Sequence, residues 1–77
     1  MIASGKPINR DTAFFKSLKS IGVRSGRVTY IKRKVYYQWD SLHGEWEIYD
    51  KNGKHIGVAD EKGNPKDEAI KGRFINL

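Results

Sequence analysis

The chain of 77 residues contains no cysteine and no long run of apolar side chains. Without cysteine, neither a disulfide framework nor a thiolate metal site can reinforce the fold, and the composition fits a reducing compartment. Without an apolar run of about 20 residues, we expect no membrane span, and we expect no signal peptide in this segment. A chain of this length forms one small domain, near the lower limit for folding on its own core.

Acidic side chains are scarce in the first half of the chain. Residues 1–39 contain nine lysines and arginines but only Asp11 as an acidic residue, a net charge of +8. Residues 40–77 contain six basic and eight acidic side chains, a net charge of −2, so the whole chain carries +6. A basic half favours a polyanionic partner, most often nucleic acid. A basic surface that serves only solubility is the alternative.

The first part of the chain predicts a linker and a helix. Residues 1–10 contain glycine, proline and asparagine, and we expect them to be a former linker, with residues 11–77 forming the folded domain. Asp11 to Ile21 predicts one amphipathic helix that Gly22 terminates, because apolar residues recur at helical spacing after a capping residue. The cap is Asp11 or Thr12, and the apolar stripe consists of Phe14, Leu18 and Ile21.

The remainder of the chain predicts strands. Alternating or β-branched and aromatic segments occur at Val28–Ile31, Val35–Trp39, Glu45–Tyr49 and His55–Ala59, and the tail Ile70–Leu77 is expected to form an edge strand. Lys32-Arg33-Lys34 marks a basic bend or a hairpin. Asp50 to Gly53 favours a two-residue hairpin, and Asp60 to Pro65 favours another turn. We therefore expect an α+β fold, with a short N-terminal helix packed on a small, highly twisted antiparallel sheet.

Alternation assigns faces to two of these strands. Glu45, Glu47 and Tyr49 should share one face, and Trp46 and Ile48 should share the other. In the returning strand, Ile56 and Val58 are expected to face the core. The first face thus carries two carboxylates and a phenol, next to the turn that contains Asp40 and His43.

The segment from Trp39 to Tyr49 concentrates groups that can transfer protons. Gly44 allows a sharp turn, so Asp40 and His43 can reach the face that carries Glu47. Cleavage of RNA without a metal needs a base for the 2′-hydroxyl, an acid for the departing 5′-oxygen and a cation for the phosphorane. A carboxylate beside a histidine raises its pKa, which favours His43 as the acid and Glu47 or Asp40 as the base or orienting group. A solvated polar strand face is the alternative.

A metal site is the less favoured interpretation of the same region. His43, Glu45, Glu47 and His55 offer oxygen and nitrogen ligands, but their spacing matches no recognised metal motif. We therefore expect neither a metal nor another cofactor. His55 alone is more often a packed strand histidine, and we assign it no chemistry.

Basic and aromatic side chains around this segment predict contacts with RNA. Aromatic rings can stack on unpaired bases, although half of any strand faces a core. Tyr49 is the best aromatic candidate because it shares parity with the two glutamates. The basic triplet Lys32-Arg33-Lys34 either binds phosphate or forms a loop that serves only solubility. The expected RNA-binding residues are Arg27, Lys32, Arg33, Lys34, Trp39, Glu45, Tyr49 and Lys71.

The segment from Trp39 to Tyr49 resembles the pattern W-D-S-x-H-G-E-x-E-x-Y of the cytotoxic ribonuclease domain of E-group colicins and cloacin. The similarity extends through Gly53-x-His55-x-Gly57 and, more loosely, from Arg27 to the C-terminus. This resemblance implies catalytic roles for Asp40, His43 and Glu47 and a lesser role for Glu45. It places the catalytic arginine on Arg73, although Gly72 stands where the family has lysine.

The resemblance also implies a function and partners. It implies a bacteriocin-type or contact-dependent inhibition toxin that is delivered from the producing bacterium, enters the cytoplasm of a target cell and cleaves small-subunit ribosomal RNA at the decoding centre. The implied partners are the small ribosomal subunit and an acidic immunity protein. The domain is expected to be a monomer or a heterodimer with that protein, and it is not expected to bind a membrane. The alternatives are a non-catalytic RNA- or ribosome-binding module and a protein-interaction domain.

Overall fold

The computed structural model describes residues 5–77, which form one short helix and one six-stranded antiparallel sheet. The strands follow one another across the sheet in chain order, β1-β2-β3-β4-β5-β6, so the expected α+β class is confirmed. None of its helices has the length and apolar character needed to cross a membrane. The elements are α1 (Ala13–Lys16), β1 (Lys19–Arg24), β2 (Arg27–Lys32), β3 (Val35–Asp40), β4 (Glu45–Tyr49), β5 (His55–Ala59) and β6 (Pro65–Glu68).

Because the sheet keeps the order of the chain, the charge asymmetry of the sequence becomes an asymmetry in space. The half of the sheet formed by β1, β2 and β3 comes from the basic part of the chain, and the half formed by β4, β5 and β6 comes from the acidic part. The seam between the halves is the β3–β4 pair, in which Asp40 lies opposite Glu45 and Gln38 lies opposite Glu47.

The core lies on the face of the sheet that α1 covers, and Trp46 is at its centre. Trp46 is 1% exposed, and its ring meets the rings of Trp39 at 5.0 Å and Tyr30 at 5.6 Å between centroids. Phe14 of α1 packs edge-on against the same indole at 6.0 Å. Edge-to-face contacts of this kind add to the stabilisation from burial alone. The alternation expected for β4 is confirmed, because Glu47 lies on the opposite face.

The expected helix from Asp11 to Ile21 is wrong beyond Lys16. Thr12 caps the short helix by accepting a hydrogen bond from the Phe15 amide at 3.0 Å, but the chain then becomes β1. The outer edge of β2 needs partners for its backbone groups, and β1 supplies them. Gly22 does not stop a helix; it sits at a bulge in β1 with φ of 87°.

The turns of the sheet confirm one expectation and correct another. Lys32 pairs with Val35, so the basic triplet forms a hairpin, with Arg33 and Lys34 both at positive φ. The turn after β4 has three loop residues rather than two, because the Asp50 amide donates to the Lys54 carbonyl at 2.8 Å.

A bulge after Ile48 changes which residues of β5 face the core. Ile56 is 45% exposed, so the expectation that it faces the core is wrong.

The tail does not form the expected edge strand. The edge strand is β6, and the tail instead crosses the β4–β5 turn, joined by a single bridge between Lys54 and Phe74. The His55 amide donates to the Arg73 carbonyl at 2.9 Å, and the Ile75 amide donates to the Gly53 carbonyl at 2.8 Å. Val58 is buried as expected, but it lies opposite Glu47 and therefore on the face away from Trp46.

The segment before α1 contacts the sheet where the structure describes it. The Lys6 amide donates to the Ser41 carbonyl at 2.7 Å, the Trp39 indole donates to the Lys6 carbonyl at 2.8 Å, and Ile8 packs against the core. The predicted linker at residues 1–10 lies partly outside the described residues, and its boundary at residue 10 stays a prediction.

Gly53 is the glycine that fixes the position of the tail. Its φ is 83°, and a Cβ added there would meet the Ile75 carbonyl oxygen. We expect Gly53→Ala to lower the free energy of unfolding by about 1–3 kcal/mol in a denaturant titration. Gly26→Ala is the matched control, because Gly26 has φ of 81° but no neighbour within 4 Å of an added Cβ. Equal losses in the two variants would contradict a role for contact with the tail.

Candidate active site

The turn between β3 and β4 places His43 next to Asp40. Asp40 ends β3, and its Oδ1 accepts hydrogen bonds from the amides of Leu42 at 3.0 Å and His43 at 3.2 Å. The Gly44 amide closes the turn on the Asp40 carbonyl at 2.8 Å, with Gly44 at φ of 66°. The carboxylate thus organises the backbone of its own turn, as aspartates commonly do.

The side chains of Asp40 and His43 form a hydrogen-bonded pair. His43 Nδ1 lies 2.8 Å from Asp40 Oδ2, while the imidazole is otherwise exposed. This hydrogen bond, with the charge of Asp40 and smaller contributions from Glu45 and Glu47, raises the pKa of His43. Burial would raise the pKa of Asp40, but the hydrogen bonds and charge of His43 and the charge of Arg27 outweigh it and lower that pKa. The pair therefore stabilises an imidazolium beside a carboxylate.

Glu47 is a buried carboxylate that two side chains hold in place. Only 4% of its side chain is exposed, and its Oε1 lies 2.6 Å from His55 Nε2 and 3.1 Å from Arg73 Nη1. Its Oε2 receives no hydrogen bond from the described residues. Because every fully enclosed side-chain nitrogen or oxygen in that part of the chain has a partner, Oε2 must reach the adjoining cavity.

His55, to which the sequence assigns no chemistry, contacts the buried Glu47 carboxylate. Its Nδ1 accepts a hydrogen bond from the Ile70 amide at 2.9 Å. The ring hydrogen is therefore on Nε2, which donates a hydrogen bond to Glu47 Oε1. The expectation of a packed strand histidine describes its burial correctly, at 1% exposed, but misses its contact with Glu47. The one signal in the sequence was the Gly53-x-His55-x-Gly57 part of the resemblance.

One cavity of about 360 Å³ brings the four predicted catalytic residues together. Asp40 and His43 come from the β3–β4 turn, Glu47 from β4, and Arg73 from the tail, more than 25 residues away in sequence. Asp67 and Glu68 of β6 also line this catalytic cavity. The arrangement can hold a base, an acid and a cation around one phosphate, which general acid–base catalysis requires.

Comparison with known families decides what kind of domain this is. Residues 12–76 match the family model described as Cytotoxic, which covers most of the chain. The chain belongs to the Cytotoxic family. This is the cytotoxic domain of E-group colicins and cloacin, so the resemblance is confirmed and the chain is a colicin-type toxin domain. Neither the curated proteins nor the solved structures contain a match.

The expected RNA-binding residues of this Cytotoxic domain fall into two groups. Arg27 and Tyr49 line a second cavity beside the catalytic one, and Glu45 lines the catalytic cavity while pairing with Lys66 Nζ at 2.9 Å. Others lie elsewhere: Trp39 packs on the core face, and Lys71 lines neither cavity.

The basic triplet is also distant from the catalytic cavity. Lys32, Arg33 and Lys34 lie at the end of β3 opposite to Asp40, roughly 17 Å away at about 3.3 Å per residue. Lys32 Nζ lies over the Phe14 ring, at 5.5 Å from its centroid. RNA binding by the triplet stays a prediction, and a contact there would require a substrate that extends well beyond the cleaved bond.

The turn also holds the one group of potential metal ligands among residues 5–77. Ligand atoms of Asp40, His43 and Glu45 lie within 4.8 Å of one another. Two of these residues already bond to each other, and the third pairs with Lys66. His55, which the sequence offered as another ligand, is not in this group. Catalysis without a metal stays a prediction.

The Asp40–His43 pair makes a prediction that does not depend on activity. Because the hydrogen bond to Asp40 is the main cause of the raised pKa of His43, Asp40→Asn should return that pKa towards its ordinary value of about 6.5. The contribution of the Asp40–His43 pair to the free energy of unfolding is fully present below the ordinary pKa of histidine. It is lost as the pH rises through the raised pKa of His43. Titration of the imidazole by NMR measures the change. Glu45→Gln is the control and should lower the pKa less; an unchanged pKa in Asp40→Asn would refute the assignment.

Proposed function

We propose that this toxin domain is a metal-independent endoribonuclease that cleaves small-subunit ribosomal RNA. The observation that carries the proposal is the contact of Arg73 with Glu47 at 3.1 Å, in the same cavity as Asp40 and His43. A solvated polar face would not need a cation from the distant tail. The contact instead supplies the third component that cleavage of a phosphodiester requires.

The reaction is an in-line attack of the ribose 2′-oxygen on the adjacent phosphorus. Glu47 acts as the general base and takes the 2′-hydroxyl proton through its open Oε2. His43 acts as the general acid: its Nδ1 is held by Asp40, and its Nε2 gives a proton to the departing 5′-oxygen. The bond from phosphorus to the 5′-oxygen breaks as the bond to the 2′-oxygen forms. The products are a 2′,3′-cyclic phosphate and a 5′-hydroxyl.

The other two residues serve the phosphorane and the base. Arg73 stabilises the added negative charge on the phosphoryl oxygens, since its guanidinium offers donors beyond the one that bonds to Glu47. His55 acts as a positioning residue, because its bond to Glu47 Oε1 directs Oε2 towards the cavity. The same groups would serve if His43 were the base and Glu47 the acid. Variants of both residues, His43→Ala and Glu47→Gln, are therefore tested.

The family resemblance supports a proposal for the substrate and the cellular setting. We propose the decoding centre as the target, with block of translation in the cytoplasm of a competitor cell. The domain would arrive there by delivery from the producing bacterium. The net charge of +6 supports a polyanionic substrate.

We also propose a cognate immunity protein of acidic character as the protein partner. A partner that protects the producing cell must block a basic toxin, and complementary charge speeds association. The domain is proposed to be a monomer that becomes a heterodimer with this protein. Binding of such a partner would occur for a catalytic and a non-catalytic domain alike, so it does not distinguish between them.

The test is incubation of the domain with intact ribosomes in excess EDTA, followed by gel analysis of the rRNA. We expect one cut in small-subunit rRNA with the natural domain and loss of that cut with His43→Ala or Glu47→Gln. Intact rRNA with the natural domain, or equal cleavage by the variants, would refute the proposal. Salt-sensitive binding to RNA without cleavage would favour the binding-module alternative.

A further inference from the structure

A second cavity of about 290 Å³ adjoins the catalytic one, and the mechanism above does not use it. The two cavities share Asp40 and Arg73 and are therefore neighbours. A volume near 300 Å³ is at the lower end of small-molecule sites. Besides Asp40 and Arg73, the lining of the second cavity comes from β2, β3, β4, the β1–β2 turn and the tail: Ser25, Arg27, Gln38, Tyr49, Phe74 and Ile75.

Gln38 presents a fixed acceptor to this second cavity. Its Nε2 donates to the Arg24 carbonyl at 2.8 Å and to Thr29 Oγ1 at 3.0 Å, and the Thr29 hydroxyl donates to the Arg27 carbonyl at 3.1 Å. Because a carbonyl can only accept, the amide orientation is fixed and Oε1 points away from these partners. Gln38 is 2% exposed, yet Oε1 has no partner among the described residues, so it reaches the cavity.

Donors and an aromatic ring complete the lining. Arg27 makes no ion pair within residues 5–77, although its charge acts on both Asp40 and Tyr49. Burial is the largest cause of the raised pKa of Tyr49, so its hydroxyl keeps its proton at neutral pH and can donate. Phe74 is 61% exposed, which leaves its ring open to a stacking partner.

The charges around the two cavities give the substrate a direction. Asp67 and Glu68 of β6 line the catalytic cavity, and their negative charges would repel a phosphate on that side. On the other side, Arg27 and Arg73 border the second cavity without a carboxylate other than Asp40. A polyanionic chain that places one phosphate at Glu47 and His43 would therefore continue towards Arg27.

We propose that the second cavity is a subsite for the ribonucleotide next to the cleaved bond. Its phosphate lies between Arg27 and Arg73, its base stacks on Phe74, and a ribose hydroxyl or base amino group donates to Gln38 Oε1. Fixed acceptors, arginines and open aromatic rings are the groups that recognise unpaired RNA. The subsite rests on the proposed ribonuclease function, because it places the neighbour of the scissile nucleotide.

The test measures the affinity of the complete domain for a single-stranded ribotrinucleotide whose central residue is 2′-deoxy, so that it resists cleavage. We expect Phe74→Ala and Arg27→Gln each to raise the dissociation constant by about tenfold or more in an anisotropy titration. Lys51→Gln and Val23→Ala are the controls, since Lys51 is exposed and lines neither cavity and Val23 is 60% exposed. In an NMR titration, the Gln38 side-chain amide should shift in the natural domain.

The outcomes separate the two proposals. Affinities of Phe74→Ala and Arg27→Gln that equal those of the controls, with rRNA cleavage by the natural domain intact, would overturn the subsite and leave the ribonuclease proposal in place. Absence of rRNA cleavage by the natural domain would count against the ribonuclease itself. A loss of affinity in both variants, together with a shifted Gln38 signal, would support the subsite.

Discussion

Glu47→Gln is expected to lower the single-turnover rate of rRNA cleavage by about 10²- to 10⁴-fold, the usual contribution of a general base. The amide keeps the size of the carboxylate, and an oxygen remains to accept the bonds from His55 and Arg73. What the variant loses is the ability to take a proton through the second oxygen. Circular dichroism and thermal unfolding should show that the fold persists.

Glu45→Gln is the matched control for that experiment. Glu45 is on the same strand and the same face, two residues earlier, but it pairs with Lys66 and makes no hydrogen bond with His55 or Arg73. We expect its loss to cost roughly tenfold at most, in line with a surface pair. If Glu45→Gln lost as much activity as Glu47→Gln, the assignment of the base to Glu47 would be wrong.

Arg73→Ala is expected to lower the rate of cleavage by about 10²- to 10³-fold, as removal of a donor at a developing negative charge does. The change also leaves the buried Glu47 carboxylate without its cation, so stability must be measured alongside the rate. Arg73→Lys keeps the charge but loses the planar array of donors. It should recover stability more fully than activity.

Lys71→Ala is the control for the arginine. Lys71 lies two residues earlier on the same tail and lines neither cavity. Its replacement should leave the rate within a few-fold of the natural domain, since an exposed charge contributes little. A larger loss in Lys71→Ala than in Arg73→Ala would contradict the assignment to Arg73 and place the cation on Lys71.

The strands that frame the site could be predicted from the sequence because local patterns specify them. In β4, alternation separates Trp46 from Glu47, and the structure has them on opposite faces. The helix was over-extended because Leu18 and Ile21 keep helical spacing after Phe14. Spacing alone cannot show that β2 has a free edge, and pairing with that edge decides the conformation of residues 19–24.

The site was predicted in part for the same reason. Asp40, His43 and Glu47 lie in one short segment, so their proximity depends on one turn and one strand. The contacts of Glu47 with His55 and Arg73 depend on the bulge after Ile48 and on the path of the tail across the β4–β5 turn. Neither feature has a local pattern, so the role of His55 was missed, and Arg73 was found only through the family resemblance.

The chemistry of the cut end tests the central claim most directly. Mass spectrometry of the rRNA fragment on the 5′ side of the cut, produced in excess EDTA, identifies its terminal group. Proton transfer by Glu47 and His43 predicts a 2′,3′-cyclic phosphate on that fragment and a 5′-hydroxyl on the other. A 3′-hydroxyl paired with a 5′-phosphate, or cleavage that EDTA abolishes, would contradict attack by the 2′-oxygen and the metal-independent mechanism built on it.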